Sequence, residues 1–529
     1  MTNSMQEAMK SDVILITGSN TTWCHPVFGG MIKKAVKQNG VKLIVVDPRE
    51  TDLAKIADIH IRQKGGSDVA WLMGVQKIII DNGWHKKEYI DTRCEGWDEY
   101  LKSLQSYTPE MVSKVSGISK EDLYAIAKLY ATGGKAAIYY AMGITQHSHG
   151  VDNVKAISNL ALITGNLGVE GGGVNPLRGQ NNVQGACDMG ALPNVFSAYQ
   201  PVTDAAIREK YAKSWGIDVA TMDAEVGMPV TLMVDQAGDK IKALYIMGEN
   251  PMMNDPDLHH AEHMLEKLDF IVVQDIFLTE TAEKADVVLP ATSFAEKLGT
   301  YSNTERRVQL GRPAIDPLPG VRQDAEIIAD LATRLGAVNF PSTPQALFEE
   351  MRMVTPSYRG MTYERIEKCG LRWPCPTEDH PGTPVLHTAK FTRGLALLAP
   401  LVYRPSEEMP CDEYPLLLQT GRLLEHYHGG NMSRNSFTLD TLKPECELDI
   451  HPEDAEKLGI KSGDMVNIET RRGKVKVKAR VTASIDKGAL FMPFHFSEAP
   501  ANMLTNNALD PIAKIPEYKV CAARVKRAD

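Results

Sequence analysis

The chain has 529 residues, of which 43% are hydrophobic and 24% are charged. This is ordinary for a soluble globular protein of about three or four domains. The formal net charge of −9 argues against a nucleic-acid-binding protein, because no broad basic surface is expected from this balance. No apolar run approaches the roughly 20 residues that a membrane-spanning helix needs, and the polar start of the chain does not resemble a signal peptide. We therefore expect a cytoplasmic protein.

The cysteines and histidines do not predict a metal site within this chain. The eight cysteines include no Cys-x-x-Cys pair, so the spacing of a zinc or iron–sulfur site is missing. The pair His147 and His149 is interpreted as a surface or polar-contact pair, because no third ligand lies near it in the sequence. No residue of the chain is predicted to bind a metal directly.

The first predicted unit joins a strand, a glycine turn, a helix and a second strand. Val13–Thr17 is an apolar run that ends in Gly18-Ser19-Asn20, a helix follows at about residues 28–38, and the strand Lys42–Val46 ends in Asp47. In a nucleotide-binding βαβ unit, the glycine turn approaches a pyrophosphate and the acidic side chain binds a ribose or a base. The full Gly-x-Gly-x-x-Gly sequence is absent, so this pattern alone is a weak indication.

The next elements lead towards a long polar loop. Ser119 is placed to cap a helix that reaches Ala131, and Lys135–Ala141 is predicted to be a buried strand. The helix Val151–Ile163 then precedes the loop Gly171–Gly190, which is so rich in glycine that neither a helix nor a strand is expected to cross it. Long loops of this kind are usually functional or disordered, and an ordinary surface loop is the alternative. We interpret this loop as the floor of an active site.

The pattern of the first unit returns farther along the chain. The strand Ala243–Met247 ends in Gly248-Glu249-Asn250, a helix is predicted at about residues 256–268, and the strand Phe270–Val273 ends in Gln274-Asp275. The sequence DPRETDLAKIAD, which starts at Asp47, and DIFLTETAEKAD, which starts at Asp275, share Thr, Ala, Ala and Asp at matching positions. We predict two related nucleotide-binding units, and the alternative is a doubly wound fold with an accidental similarity.

The remainder predicts connectors followed by a β-structure. Helical and irregular segments are expected from Thr304 to about Pro400, without a new sheet. Beyond them, the strands Tyr414–Gln419 and Ala489–Phe494 flank a hairpin that turns at Arg472-Gly473, which is typical of a β-barrel. The predicted domains are 1–180 and 181–343 (both α/β and dinucleotide-binding), a connecting segment 344–405, and a barrel 406–529.

Several motifs resemble the catalytic subunit of molybdenum- or tungsten-dependent formate dehydrogenases, in the molybdopterin oxidoreductase superfamily. The most specific is GVNPLRGQNNVQGACDMG at Gly173–Gly190, and Gly143–Gln146, Gln274–Phe277 and Pro516–Lys519 add to it. The resemblance covers essentially the whole chain. It implies two doubly wound α/β domains, a six-stranded C-terminal barrel, and one metal held between two pterin guanine dinucleotides.

The resemblance also implies which residues form the sites. One nucleotide arm is expected to be bound by Gly18, Asn20, Asp47, Arg49, Gly66 and Asp68. The other is expected to be bound by Gly248, Asn250, Gln274, Asp275, Ser293 and Asp324. The pterins are expected to lie against Met142, Gly143, Gln146 and Gln180. The cofactor is expected to be covered by Arg422, His426, Phe494, Asn507, Tyr518 and Lys519.

The predicted catalytic residues are Arg178 and Gln180. Formate is a small planar carboxylate, and a guanidinium group matches its two oxygens with parallel hydrogen bonds. The resemblance therefore assigns the substrate to Arg178, whose alternative role is that of a loop arginine that caps carbonyl groups. The products are CO2 and two electrons, which an iron–sulfur, NAD-linked, ferredoxin-linked or hydrogenase partner subunit is expected to accept.

The start of the sequence departs from the family. Its members begin with a four-cysteine [4Fe-4S] domain and a cysteine or selenocysteine metal ligand, whereas Cys24-His25 here belongs to the dinucleotide loop. Met1-Thr2-Asn3-Ser4 resembles an internal stretch of the family, so we expect the upstream DNA to carry an in-frame UGA codon and to encode the cluster domain. A naturally split enzyme is the competing account.

Three functions remain open at this point. The first is formate dehydrogenase, and the second is a nicotinamide-dependent dehydrogenase that uses the turn at Gly18, against which the second copy and the barrel both argue. The third is a catalytically silent cofactor-binding or scaffold subunit, and a different molybdopterin oxidoreductase is a variant of the first. Metal and pterin analysis separates the first two.

Overall fold

The computed structural model describes residues 1–528, and they form two compact units. The first unit comprises Met1–Gly179, Met253–Ala261 and the chain from Val385 to the last described residue. The second comprises Gln180–Met252 and Glu262–Pro384. The four-domain division drawn from the sequence stays a prediction.

A five-stranded parallel sheet organises the N-terminal part of the first unit. The elements are β1 (Val13–Thr17), α1 (Thr21–Cys24), α2 (Pro26–Asn39), β2 (Lys42–Val46), β3 (Ile59–Ile61), α3 (Asp68–Asp81), α4 (Lys87–Arg93), β4 (Cys94–Glu95), α5 (Trp97–Leu104), α6 (Pro109–Ser116), α7 (Lys120–Thr132), β5 (Ala136–Tyr140), α8 (Met142–Thr145), α9 (Gly150–Ile163) and β6 (Gly173–Pro176). The strand order is β3-β2-β1-β5-β6.

Both faces of this sheet are covered, which explains why the central strands β1 and β5 are buried along their whole length. In β1, Val13 and Leu15 pack into the core on one face, while Ile14 and Ile16 pack into a second core on the other. Because side chains alternate along a strand, one apolar run supplies both cores. The helix α7 begins as predicted, since Ser119 Oγ accepts a hydrogen bond from the Asp122 amide at 3.0 Å.

The chain from residue 180 to 384 contains shorter elements. They are α10 (Val183–Asp188), β7 (Val195–Phe196), β8 (Gln200–Pro201), α11 (Ala205–Trp215), α12 (Val230–Asp235), β9 (Ala243–Met247), α13 (Pro251–Asn254), α14 (Leu258–Leu265), β10 (Phe270–Asp275), α15 (Glu280–Glu283), β11 (Val287–Pro290), β12 (Gly299–Ser302), β13 (Arg307–Gly311), α16 (Asp324–Arg334), α17 (Pro344–Val354), α18 (Tyr363–Cys369) and β14 (Leu371–Arg372).

The internal repeat is present in the hydrogen bonding of the two parallel sheets. The second sheet has the order β11-β10-β9, which matches β3-β2-β1 of the first. Val13 pairs with Lys42 in the first sheet, and Ala243 pairs with Phe270 at the corresponding position of the second. The fold prediction of two related α/β units is therefore confirmed. The first sheet differs from the second by its additional strands β5 and β6.

Two expectations about regular structure were wrong. The loop Gly171–Gly190 contains β6, which pairs with β5 as the edge of the first sheet, and it also contains the helix α10. The segment after Thr304 contributes to an antiparallel sheet in the order β12-β13-β14. These elements are only two to six residues long, so glycines and polar residues can flank them without interrupting them.

The C-terminal part of the first unit is a closed barrel, as predicted. Its elements, with a preceding short strand, are β15 (Ala396–Leu397), β16 (Leu416–Gly421), α19 (Phe437–Leu442), β17 (Glu447–Ile450), α20 (Pro452–Leu458), β18 (Met465–Glu469), β19 (Lys474–Val481), β20 (Ala489–Pro493) and β21 (Cys521–Arg527). The barrel order is β16-β20-β17-β19-β18-β21, and the hairpin of β18 and β19 turns at the predicted position. Among residues 1–528, no helix has the length and apolar character required to cross a bilayer.

Candidate cofactor site

A cavity in the first unit lies among the carboxyl ends of the parallel strands and the barrel. The space between its lining residues is about 980 Å³, including space that is open to solvent. Twelve predicted cofactor residues line it: Gly18, Asn20, Asp47, Arg49, Gly66, Asp68, Met142, Gly143, Gln146, Arg422, Phe494 and Lys519. The structure therefore brings together residues from the N-terminal sheet and the barrel that are far apart in sequence.

The floor of the cavity is formed by two glycine turns in direct backbone contact. Gly18 has φ +56° after β1, and its carbonyl accepts a hydrogen bond from the Gly143 amide at 3.1 Å. A Cβ atom at Gly18 would lie 2.7 Å from the carbonyl carbon of Gly143 and 2.7 Å from the Ile144 nitrogen. Both the positive φ and the close approach require glycine at this position. The turns predicted after β1 and β5 therefore pack against each other and form one continuous part of the cavity lining.

Three cationic side chains line this cavity. Lys519 Nζ donates to the Thr420 carbonyl at 2.9 Å, and the Arg422 guanidinium lies 3.3 Å from the Met142 sulfur. Arg49 stacks on Phe491, 3.4 Å from the ring centroid, and its buried Nε has no hydrogen-bond partner among the described residues. Burial lowers the pKa of Lys519 to about 7 and also lowers the pKa values of Arg49 and Arg422. Buried cations with spare donors fit an anionic ligand.

Two buried carboxyl groups, Asp47 and Asp68, share the cavity with these cations. Asp47 accepts a hydrogen bond from the Arg49 amide at 3.0 Å, and Asp68 accepts one from Trp71 Nε1 at 3.3 Å. Burial raises the pKa of each carboxyl group to about 6. Both residues are placed to accept hydrogen bonds from hydroxyl or amino groups of a bound ligand.

His147 is buried at the site. The side chain is 2% exposed and lines the cavity, so of the two alternatives, a surface residue or a polar-contact residue, the structure shows the second. One ring nitrogen lies 2.9 Å from the Gly143 carbonyl, and the other lies 3.9 Å from Glu517, which is itself fully buried. Glu517 belongs to the motif Pro516–Lys519, which was the available signal. Burial lowers the pKa of His147.

The two predicted catalytic residues fall on different units. Arg178 is half-buried just beyond β6 in the first unit, and its carbonyl contacts His25 Nε2 at 2.5 Å. The guanidinium of Arg178 acts electrostatically on the buried Tyr140 hydroxyl and opposes the rise that burial causes in the pKa of Tyr140. Gln180 is an exposed residue at the start of the second unit.

Three residues predicted to cover the cofactor lie away from the lining of the cavity. His426 is buried and contacts the Lys443 carbonyl at 2.7 Å, so it links two segments of the barrel region. Tyr518 donates to the Asn254 carbonyl at 3.0 Å. Asn507 is exposed beside a separate surface pocket that Glu408 and Arg472 also line. Their roles towards a cofactor stay predictions.

Of the residues predicted for the second arm, Gly248, Gln274 and Asp324 are joined by hydrogen bonds within the second unit, and the other three bond to different neighbours. The Gly248 amide, at φ +63°, donates to the Gln274 carbonyl at 2.9 Å, and Gln274 Nε2 donates to Asp324 at 2.7 Å. Asn250 accepts from the Thr281 hydroxyl at 2.7 Å. Burial raises the pKa of Asp275, which accepts the Ile276 amide at 2.6 Å. Ser293 is the N-cap residue of a short 3-10 helix, and its amide donates a hydrogen bond to the Glu296 carboxylate at 2.7 Å.

Comparison with known families identifies this architecture. The molybdopterin oxidoreductase model matches residues 1–334, and the molydopterin dinucleotide binding domain matches residues 416–522. The chain belongs to the molybdopterin oxidoreductase family. Within this family, curated proteins similar to this oxidoreductase are named as formate dehydrogenase alpha subunits.

The relatives cover the whole of this oxidoreductase chain. The F420-dependent formate dehydrogenase 1 subunit alpha of Methanococcus maripaludis is 49% identical over 532 residues, covering 100% of this chain and 78% of the relative. Formate dehydrogenase H of Escherichia coli is 38% identical, covering 99% of this chain and 74% of the relative. The solved acetylene hydratase from Pelobacter acetylenicus has a TM-score of 0.76 at 21% identity, covering 99% of this chain and 81% of that one. This last similarity supports the fold alone.

The lining of the cavity fits a molybdopterin dinucleotide with molybdenum or tungsten, the cofactor of this family. Buried cations with spare donors suit the pyrophosphate, and the glycine turn allows its close approach. The carboxyl groups of Asp47 and Asp68 suit hydroxyl and amino groups. Among the described residues, no group of three or more His, Cys, Asp and Glu side chains is arranged to hold a metal ion.

Proposed function

We propose that this chain acts in a formate dehydrogenase and oxidises formate to CO2 with the transfer of two electrons. The observation that carries the proposal is the 49% identity to a formate dehydrogenase alpha subunit along the entire chain. The cavity supports it independently, because its cationic wall and glycine floor suit a dinucleotide cofactor.

We further propose that two pterin guanine dinucleotides are bound, one by each related unit. The support is the shared sheet order, together with the acidic residues Asp47 and Asp275 at equivalent ends of β2 and β10. Both accept a hydrogen bond from the amide two residues later, at 3.0 Å and 3.2 Å respectively. The second arm would be held by the group that links Gly248, Gln274 and Asp324.

When bound, the molybdenum or tungsten centre supplies the site that accepts the two electrons of formate oxidation. The residues of this chain bind and orient the reactants. Arg178 would hold both formate oxygens through its guanidinium group, which fixes the direction of the C–H bond. The imidazole of His25 contacts the Arg178 carbonyl, and that of His428 lies beside Gly179. Both rings are neutral at pH 7 and add no positive charge, since burial lowers the pKa of His428 to about 3 and also lowers that of His25.

The partners follow from the reaction. Two electrons must leave after each turnover, so we propose an electron-transfer subunit that is iron–sulfur-based, NAD- or ferredoxin-linked, or a hydrogenase. The cysteines of this chain are dispersed singly, so we propose that a [4Fe-4S] cluster of the enzyme is bound by other cysteines than these. A cytoplasmic location is part of the same proposal.

The test combines cofactor analysis with an assay on the purified holoenzyme that contains this chain. We expect molybdenum or tungsten, two guanine nucleotides per chain after hydrolysis, and formate-dependent reduction of an artificial electron-accepting dye. Bound cofactor without any formate oxidation would favour a silent subunit or a different molybdopterin oxidoreductase. Absence of metal and pterin would refute the cofactor assignment itself.

A further inference from the structure

We propose that His25 is a positioning residue that fixes the backbone of Arg178 and so directs its guanidinium group towards the substrate. This inference rests on the proposed function, because it assumes that Arg178 binds formate. The central observation is the 2.5 Å contact between His25 Nε2 and the Arg178 carbonyl oxygen. The two residues are separated by 153 positions in the sequence and meet only in the folded first unit.

The backbone of His25 is held on both sides. It lies between α1 and α2, where its amide donates to the Thr21 carbonyl at 2.9 Å and its carbonyl accepts the Gly29 amide at 2.8 Å. Pro26 begins α2 and restricts the next φ angle. The imidazole therefore projects from a rigid corner of the fold, and a rigid support is what a positioning contact requires.

Arg178 needs such a support because the sheet ends just before it. The strand β6 stops at Pro176, and the Leu177 amide makes the next link by donating to the Tyr140 carbonyl at 2.8 Å. The contact with His25 follows at Arg178 itself. Consecutive backbone groups from β6 to Arg178 are therefore held by hydrogen bonds.

The residue after Arg178 is tightly confined as well. A Cβ atom at Gly179 would lie 2.4 Å from the Arg422 guanidinium and 3.0 Å from His428 Cε1. Glycine permits this close approach because it has no Cβ atom. For the same reason, no side chain of its own restricts the φ and ψ angles of Gly179. A hydrogen bond to the preceding carbonyl therefore has more effect here than it would beside a bulkier residue.

The contact also defines the protonation of His25. A carbonyl oxygen only accepts hydrogen bonds, so Nε2 carries the hydrogen. Burial lowers the pKa of His25, the hydrogen bond to the Arg178 carbonyl opposes this effect, and the positive charge of Arg422 adds to the lowering. The net pKa is lowered, so the neutral ring predominates at pH 7. A neutral donor can orient the Arg178 backbone without repelling its guanidinium group.

The experiment compares His25→Leu, His25→Gln and wild type in the purified holoenzyme, with His85→Leu as a matched control. His85 is a half-buried histidine of the same unit that lies outside the cavity, against Trp97. We expect kcat/KM for formate to fall about tenfold in His25→Leu, mainly through a higher KM, because the hydrogen-bond donor to the part-buried Arg178 carbonyl is lost. The His25→Gln variant retains an N–H donor and should recover most of the loss.

Further readouts separate positioning from other roles. Kinetics are expressed per bound metal in every variant, because His25 itself lines the cavity, and the formate-induced rise in melting temperature should shrink only in His25→Leu. Unchanged formate kinetics in His25→Leu, or a lower cofactor content with an unchanged KM, would overturn the positioning role. If wild-type holoenzyme oxidises no formate, the proposed function fails instead, so the two failures are distinguishable.

Discussion

Asp58 and Asp286 accept the same backbone hydrogen bond in two different sheets. The Leu43 amide donates to Asp58 at 2.9 Å, and the Ile271 amide donates to Asp286 at 2.7 Å. Each aspartate directly precedes the third strand of its sheet, which is β3 or β11. Its hydrogen bond links the start of that strand to the second strand, which is β2 or β10. Because both spacing and contact are repeated, the two α/β units share a structural plan as well as a sequence pattern.

The first prediction uses this equivalence. Asp47→Ala and Asp275→Ala should each reduce the guanine nucleotide content of the holoenzyme from two towards one per chain. Each change removes charge-assisted hydrogen bonds of about 1.5–3 kcal/mol, which corresponds to roughly 10- to 150-fold in affinity. Nucleotide released by acid hydrolysis is the measurement.

Asp58→Ala and Asp286→Ala provide the matched controls, since these residues tie strands together and lie at the same elements. They should lower the melting temperature while leaving two nucleotides per chain. Full nucleotide content in both Asp47→Ala and Asp275→Ala would contradict the assignment of one arm to each unit.

The second prediction concerns the contact of the two glycine turns. Gly18→Ala should reduce cofactor content and stability, because the new methyl group meets the Gly143 backbone at 2.7 Å and the residue keeps φ +56°. Gly30→Ala is the control, since it lies in α2 with nothing within 4 Å of the new atom. It should stabilise the protein by about 0.5–1 kcal/mol. Equal behaviour of the two variants in thermal unfolding and pterin analysis would refute this explanation.

These turns show what the sequence can predict. β1 is apolar from Val13 to Ile16 because both faces are buried, and the turn at Gly18 follows that run. The contact of His25 with Arg178 had no local signal, since 153 positions separate the residues. The helix α10 was missed because it is only six residues long and follows a glycine-rich stretch. Twelve of the predicted residues line one cavity, and no local pattern predicts the burial of His147 beside it.

The third prediction is a pH dependence of the cofactor-free protein. The pKa of Lys519 falls from 10.5 to about 7 on folding because the ammonium group is buried. The unfolded chain therefore binds more protons between these values, and stability should rise as pH increases from about 7 to 10. Below pH 7 the folded protein carries the full free-energy cost of burying the charged Lys519 ammonium group.

Lys519→Met should remove this rise and stabilise the cofactor-free protein at pH 6, while reducing cofactor content in the holoenzyme. The control is Lys87→Met, since the Lys87 side chain is 75% exposed in α4. Urea unfolding at pH 6 and pH 9 provides the comparison. A wild-type pH dependence in Lys519→Met would show that this lysine is not buried in its charged form.

The fourth prediction concerns a buried carboxylate of the second unit. Asp188 is fully buried and accepts hydrogen bonds from Tyr358 at 2.5 Å, Trp373 at 2.7 Å and Gln184 at 2.8 Å. It anchors the end of α10. Asp188→Leu should destabilise this unit by about 3–5 kcal/mol, because each buried donor left without an acceptor costs about 1–3 kcal/mol.

Tryptophan fluorescence during urea unfolding reports this change, since Trp373 donates directly to Asp188. Asp316→Leu, at an exposed position of the same unit, should leave the midpoint within about 0.5 kcal/mol of wild type. If Asp188→Leu and Asp316→Leu unfolded with the same urea midpoint, Asp188 would be excluded as the anchor of α10.

The fifth prediction tests the central claim, that Arg178 binds the substrate of a formate dehydrogenase. Arg178→Lys keeps the positive charge but loses the planar pair of donors that matches a carboxylate. We expect kcat/KM for formate to fall by at least about tenfold, with a higher KM and a lower kcat, in a holoenzyme of unchanged metal and pterin content.

The decisive measurement is the steady-state rate of formate-dependent dye reduction by wild-type and Arg178→Lys holoenzyme across a range of formate concentrations. A wild-type enzyme that oxidises formate, together with a variant of raised KM and equal cofactor content, is the predicted result. Formate kinetics that are the same in both proteins would contradict the account, because the loop after β6 would then not be the substrate site.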